Sequence, residues 1–169
     1  MDDQIIAFLQ HMREDCLENN TRISSMDSVF KAITLLFSMR GTCKEWRHGA
    51  ILVKEGRVIA SGYNGSVAGD PHCLDVGCLT TEAADAIIDK DKAHAGKCQR
   101  VIHGEQNALY FAAKRGISTE WSTCYVTKIP CIHCARALIQ AGIVEVKYIE
   151  ESRSSSESYE LLKKHGLVE

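Results

Sequence analysis

No stretch of this sequence runs long enough without charge to cross a bilayer as a helix, which excludes a helical membrane span. Charge of one sign is also scarce. The chain has 20 Lys and Arg against 22 Asp and Glu, a net −2, too weak a field for a dedicated binder of nucleic acid or acidic membrane. The opening "MDDQIIAFLQHMRED" begins with acids and carries charge throughout, so it does not read as a signal peptide and the chain is expected in a reducing cytosol. Internal repeats, low-complexity tracts and linkers are missing as well. What is present is an ordinary globular balance: 169 residues, 45 % hydrophobic and 25 % charged, enough for one domain with a proper core. Disulfides are not expected in a reducing compartment, so the eight cysteines point to metal binding or catalysis.

Hydrophobic periodicity places the elements. Residues 3–19 carry Ile5, Ile6, Leu9, Met12, Cys16 and Leu17 at helical spacing, and "NNTRISS" ends that helix. A second helix, capped by Ser25 or Asp27, runs through Val29, Ile33, Leu36 and Phe37 to Arg40 and stops at Gly41. "GAILVKEGRVIASGYNG" reads as strands over 50–53 and 57–61 joined by a hairpin turn in "KEGR". Residues 64–100 contain no strong strand, and a loop that long in a compact domain is functional or stapled. A helix follows over 104–115, then a strand over 123–127, a helix over 131–141, a strand over 144–149 and a last helix over 155–165. Strands alternating with helices after a first hairpin give an α/β sheet covered on both faces.

Two short motifs carry the chemistry. In "TKIPCIHCARALIQAGI", Cys131 and Cys134 stand three apart behind Pro130, at a helix start where partial positive charge favours thiolates. A catalytic zinc needs a third ligand and an open fourth position, and "VIHGEQNAL" offers His103 as that ligand. Glu105, two residues on, can face the same metal as a proton shuttle without ligating it. His-x-Glu followed by Pro-Cys-x-x-Cys is the signature of zinc deaminases of nucleobases. The plainer alternatives are a helix-capping His103, a first-turn Glu105 and a purely structural pair of thiols. Among the other cysteines, Cys16 and Cys124 lie on a helix and a strand and read as core. Cys43, Cys73, Cys78 and Cys98 lie in or beside the long irregular stretch, with His72 and His94 among them. Such a cluster suggests a second, closed zinc site. By position its ligands are Cys43, Cys73, His94 and Cys98, with Cys78 as substitute, and free buried thiols are the alternative.

From about Asp27 to Tyr148 the chain resembles the deoxycytidylate (dCMP) deaminases of the cytidine deaminase superfamily. The matching stretches are "SMRGTC", "HGAILVKEGRVIASGYNG", "PHC", "GC", "KCQRVIHGEQNAL", "YVTKIPCIHCARALIQAGI" and "VKYIEE". Gly104 departs from the family, which more often has Ala there, and Lys128 stands where it reshapes the pocket rim. The resemblance implies a three-layer α/β/α fold with a central mixed sheet of about five strands. It also implies a helical extension over 1–26 and a zinc-dependent nucleotide deaminase domain over 27–169.

The activity implied is hydrolytic deamination of dCMP to dUMP and ammonia, supplying dUMP for dTMP synthesis. Zinc on His103, Cys131 and Cys134 would supply an activated water, and Glu105 would move the protons. Asn64 would meet the sugar hydroxyl, although "YNG" is also a good turn, and the Gly104 N–H would meet the base carbonyl. Arg40 is the best positional match for a phosphate donor, ahead of Lys128 and Arg47, and each of these is more often a solvated surface charge. The resemblance further implies a homo-oligomer, commonly a hexamer, activated by dCTP and inhibited by dTTP. Gly62, Tyr63, Asn64 and Gly65 would help to bind that effector, and Mg2+ could accompany the triphosphate. Some members carry a second, structural zinc. Two competing readings are a deaminase of tRNA or single strands, which should show a basic run that "SRSSSESYELLKKHGLVE" lacks, and an inactive nucleotide-binding zinc protein, which should have lost Glu105 or a ligand.

Overall fold

The computed structural model describes residues 1–79, 98–150 and 156–169. In chain order the elements are α1 (Asp2–Glu18), α2 (Met26–Ser38), β1 (Gly49–Lys54), β2 (Arg57–Tyr63), β3 (Gly65–Ser66), α3 (Cys73–Val76), β4 (Val101–Ile102), α4 (Gly104–Arg115), β5 (Thr123–Lys128), α5 (Ile132–Gln140), β6 (Glu145–Glu150) and α6 (Ser156–Lys164). Among the described residues the main sheet has four strands, in the order β2-β1-β5-β6. β1 is antiparallel to both β2 and β5, and β5 is parallel to β6, so the sheet is mixed. The reading of about five strands becomes four plus a separate ribbon. Among the described residues, β3 and β4, two residues each, pair with one another, Gly65 with Ile102 and Ser66 with Val101.

The hairpin turns on two residues, Glu55 and Gly56, at φ 50 and 70. Positive φ at both central positions is the twist-matched turn that joins antiparallel strands tightly. Alternation along the strands then sorts side chains to two faces. Ala50, Leu52, Cys124 and Val126 pack with Ala108 and Ala112 of α4, Ala135 and Leu138 of α5 and Leu162 of α6. Ile51, Val53 and Tyr125 point the other way and pack with Phe30, Ile33 and Phe37 of α2. The result is three layers, with α2 on one face and α4, α5 and α6 on the other.

Two glycines set how closely helices approach this sheet. A Cβ at Gly49 would collide with the Thr34 carbonyl oxygen and stand 2.7 Å from the Ser38 nitrogen, so α2 lies directly on β1. A Cβ at Gly62 would stand 2.5 Å from the Ala108 nitrogen and closer still to the Gly104 carbonyl oxygen, so α4 lies directly on β2. On the α2 face, Tyr125 donates to Asp27 at 2.5 Å and Lys147 donates to the other Asp27 oxygen at 2.8 Å. The helix expected near the N-terminus forms as α1, but none of its residues is buried.

Candidate metal centre and active site

β4 delivers the chain to His103, which sits in extended geometry as the N-cap of α4. The Gln106 side-chain oxygen accepts from the His103 N–H at 3.3 Å and fixes the entry to the helix. β5 delivers the chain through Pro130 to Cys131, which is likewise the N-cap of its helix, α5. Ser158 of α6 donates to the Pro130 carbonyl at 2.5 Å and holds the turn in front of Cys131. Because α4 and α5 pack on the same face of adjoining strands, their N-termini converge. Both ends carry partial positive charge where thiolates and a carboxylate must sit.

The ligand atoms of His103, Cys131 and Cys134 all lie within 4.8 Å of one another. His103 Nδ1 is 3.5 Å from Cys131 Sγ and 3.4 Å from Cys134 Sγ. Tetrahedral zinc ligands at about 2.3 Å (sulfur) and 2.0 Å (nitrogen) from a common ion stand roughly 3.5 Å apart, so the donor set fits zinc in both chemistry and spacing. Cys131 is pulled down to about 3 by a hydrogen bond from Cys134, and then by His103 and the Cys134 main-chain N–H. Cys134 is pushed up, first because it donates that bond and then by burial. Glu105, in the first turn of α4, is 8 % exposed. Burial raises its carboxyl, and it feels His103, Cys131 and Cys134 directly. A buried carboxyl that can hold a proton beside three candidate metal ligands is equipped to shuttle one.

The loop before β1 forms a second wall. Asn64 accepts from the His48 N–H and donates to the Trp46 carbonyl, each at 2.8 Å, so its amide clamps this loop. The His48 ring nitrogen lies 3.3 Å from the Thr127 hydroxyl, which the Gly49 N–H also approaches at 3.3 Å. A Cβ at Gly104 would meet the His48 carbonyl oxygen at 3.3 Å, so this loop runs against the start of α4. His48 is held below its ordinary value, chiefly by burial and then by Lys128 and His103. His48 and Thr127 lie within the stretches that carry the family resemblance, but neither stands out in the sequence as a site residue. The signal available was a histidine directly before "GAIL", at the mouth of β1.

The other sequence-singled residues fall as follows. Arg40 is exposed, just past the end of α2, and its main-chain N–H donates to Phe37 at 3.0 Å. The Arg47 guanidinium donates to the Gly41 carbonyl. Gly62 lies against α4, the Tyr63 carbonyl accepts from Asn107 at 3.0 Å, and Gly65 is in the β3–β4 ribbon.

Of the second cysteine cluster, Cys73, Cys78 and Cys98 bring their sulfurs within 4.8 Å of one another, with Cys73 and Cys98 3.6 Å apart. Two sulfurs on one tetrahedral zinc stand about 3.7 Å apart, so this set fits as well. Burial pushes Cys73 up to about 12. Burial also opposes ionisation of Cys98, but N–H donors from Arg100 and Leu79 outweigh it and hold that thiol below its ordinary value. Cys43 is close enough to affect Cys73 and Cys78 electrostatically but is not one of the three converging sulfurs. His94 lies outside the described residues.

One His and two Cys, beside a buried Glu on paired helix N-termini over a mixed sheet, define the class of metal-dependent hydrolytic deaminases. The model of the cytidine and deoxycytidylate deaminase zinc-binding region matches residues 24–150. The chain is 39 % identical to ComE operon protein 2 of Bacillus subtilis, over 85 % of this chain and 69 % of that one. It is 37 % identical to the deoxycytidylate deaminase of Enterobacteria phage T4, over 70 % of this chain and 74 % of the relative. Among solved structures, the dCMP deaminase of cyanophage S-TIM5 in complex with dCMP and dUMP superposes with a TM-score of 0.70 at 29 % identity, covering 88 % of this chain and 98 % of that one. The chain belongs to the cytidine and deoxycytidylate deaminase family.

Proposed function

We propose that this protein hydrolyses dCMP to dUMP and ammonia. The observation that carries the chemistry is the buried Glu105 carboxyl beside the converged His103, Cys131 and Cys134. The substrate rests on the phage T4 relative named deoxycytidylate deaminase and on the S-TIM5 enzyme solved with dCMP and dUMP.

His103, Cys131 and Cys134 would hold the zinc, which when bound supplies a water activated near neutral pH. Glu105 accepts the proton of the attacking water, delivers it to N3 of the cytosine, and then assists departure of the 4-amino group as ammonia. One water enters, one ammonia leaves, and no electrons move. The Gly104 N–H would bond the base carbonyl. Asn64 keeps the wall of the site in position and, with a second amide N–H to spare, can meet the sugar hydroxyl. Arg40 is the donor proposed from the sequence for the phosphate.

The same reading includes a second, structural zinc on Cys73, Cys78 and Cys98 with a fourth ligand, for which Cys43 and His94 are the candidates. It also includes cytoplasmic residence, a homo-oligomer, residues 1–26 as an extension outside the catalytic domain, and control by dCTP and dTTP with Mg2+ through Gly62, Tyr63, Asn64 and Gly65. A net charge of −2 favours a free nucleotide over a nucleic-acid strand. The test is ammonia release from dCMP, dCTP, cytidine and deoxycytidine side by side, with single-stranded DNA and tRNA as further arms. dCMP should be turned over fastest. Faster turnover of a strand would overturn the substrate class.

A further inference from the structure

A continuous line of side chains leads from the metal ligands to the surface. His48 is near enough to both His103 and Lys128 to feel their charge. Its ring stacks on Trp46, with centroids 6.2 Å apart and planes 9° apart. The Lys128 ammonium lies over the same Trp46 ring, 4.8 Å from its centroid, and also 3.4 Å from a Glu150 carboxylate oxygen. Lys128 ends β5, three residues before Cys131, so its backbone is tied to the metal centre. Trp46 is 58 % exposed and is anchored through its carbonyl to Asn64. The line therefore begins at the chemistry and ends in a cation held at the rim on an aromatic platform.

We propose that Lys128, braced on Trp46, binds the 5′-phosphate of the substrate, and that Glu150 is the counter-charge it gives up when the nucleotide arrives. This assignment rests on the nucleotide deaminase reading and adds the residue that tells a monophosphate from a nucleoside. A base held at Glu105 and His103 would lay its sugar and phosphate along the side chains that run through His48 and Trp46 to Lys128. Arg40, the donor read from the sequence, is exposed just past the end of α2, and Arg47 is spent on the Gly41 carbonyl, so Lys128 takes precedence over both. Lys128 and Glu150 are 30 % and 57 % exposed, and a solvated ion pair of that kind is weak. A phosphate dianion offers more charge and more acceptors than the carboxylate, so exchange of one anion for the other is favourable. Stacking on Trp46 confines the long Lys128 side chain beforehand, which lowers the ordering cost of binding.

The experiment compares kcat and KM for dCMP and deoxycytidine in the wild type, Lys128→Met, Lys128→Arg and Glu150→Gln. Lys128→Met keeps the aliphatic stem on Trp46 and removes the charge. It should lower the dCMP-to-deoxycytidine ratio of kcat/KM roughly ten- to a hundred-fold, mainly through the KM for dCMP. Lys128→Arg should recover much of that loss. Glu150→Gln leaves Lys128 intact and removes the competing charge, so it should raise the ratio. An equal loss for both substrates in Lys128→Met would show that Lys128 only holds the loop. An unchanged ratio in that variant, or a lowered ratio in Glu150→Gln, would also overturn the assignment. Wild-type protein that releases no ammonia from either substrate would overturn the deaminase reading and this proposal with it. Wild-type turnover of dCMP with the ratio unmoved in Lys128→Met would overturn the proposal alone.

Discussion

Gly62 bears no side chain and holds no metal, yet its replacement by alanine should damage both stability and chemistry. The added Cβ would stand 2.5 Å from the Ala108 nitrogen, 3.0 Å from the Asn107 carbonyl carbon and closer still to the Gly104 carbonyl oxygen. All three are main-chain atoms of α4, so no rotamer change relieves the overlap. Reaching ordinary contact near 3.5 Å requires α4 to move by about 1 Å. Overpacking of this kind costs roughly 1–3 kcal/mol, which for a domain of this size lowers Tm by about 2–12 °C. The same displacement carries His103 and Glu105 away from Cys131 and Cys134, and a 1 Å misplacement of reacting groups costs on the order of 10²-fold in rate. Gly104→Ala is the internal control. Its Cβ would meet its nearest neighbours at 3.3 and 3.4 Å, which a few tenths of an ångström of adjustment relieves. Thermal melts and initial rates of ammonia release from dCMP, on preparations with zinc content measured, give both quantities. Gly62→Ala with wild-type Tm and rate would refute the close approach of β2 and α4.

Three further outcomes follow from particular contacts. Glu105→Gln should retain zinc and fold but lose about 10²–10⁴-fold in rate, and near-normal turnover by a zinc-loaded variant would remove Glu105 from proton transfer. Metal analysis should find two zinc ions per chain; Cys131→Ala should abolish activity, whereas Cys98→Ala should mainly lower Tm, and a single tightly bound zinc in wild-type protein purified without chelators would sink the second site. Asp27 is held below the usual carboxylate range by its bond from Lys147 and then by that from Tyr125. Its contribution is therefore present in full above the unfolded value of about 3.9 and is lost as pH falls through the lower folded value. The Tm gap between wild type and Asp27→Asn should thus shrink as pH is lowered from about 7 to about 3, and a constant gap would show that the carboxylate charge does not dock α2.

The parts of the fold legible in the sequence are those whose signals are local. The Glu55-Gly56 turn, the alternation through "TCYVTK" and the helices opened by His103 and Cys131 each declare themselves within a few residues. The ribbon of β3 and β4 did not, because strands of two residues show no period. α1 shows a different limit. Its apolar spacing predicted a helix correctly, but periodicity says only that a face is apolar, not that anything in the same chain covers it, and no α1 residue is buried. The second cysteine cluster shows why spacing alone does not select ligands. Cys43, Cys73, Cys78 and Cys98 are alike as letters, and only the placement of α3, Cys78 and Cys98 decides which sulfurs converge.

The same reasoning separates the two halves of the active site. The metal half was legible because its residues sit at helix N-termini, where sequence spacing and geometry are nearly the same statement. The proposed substrate half would be assembled from the loop before β1, the end of β5 and the end of β6, which come together through sheet order. Asn64 links the halves. From sequence it was either a turn residue or a sugar contact, and in the structure its amide also holds the Trp46–His48 loop against the site. Side chains that serve the backbone of another segment leave no periodic trace.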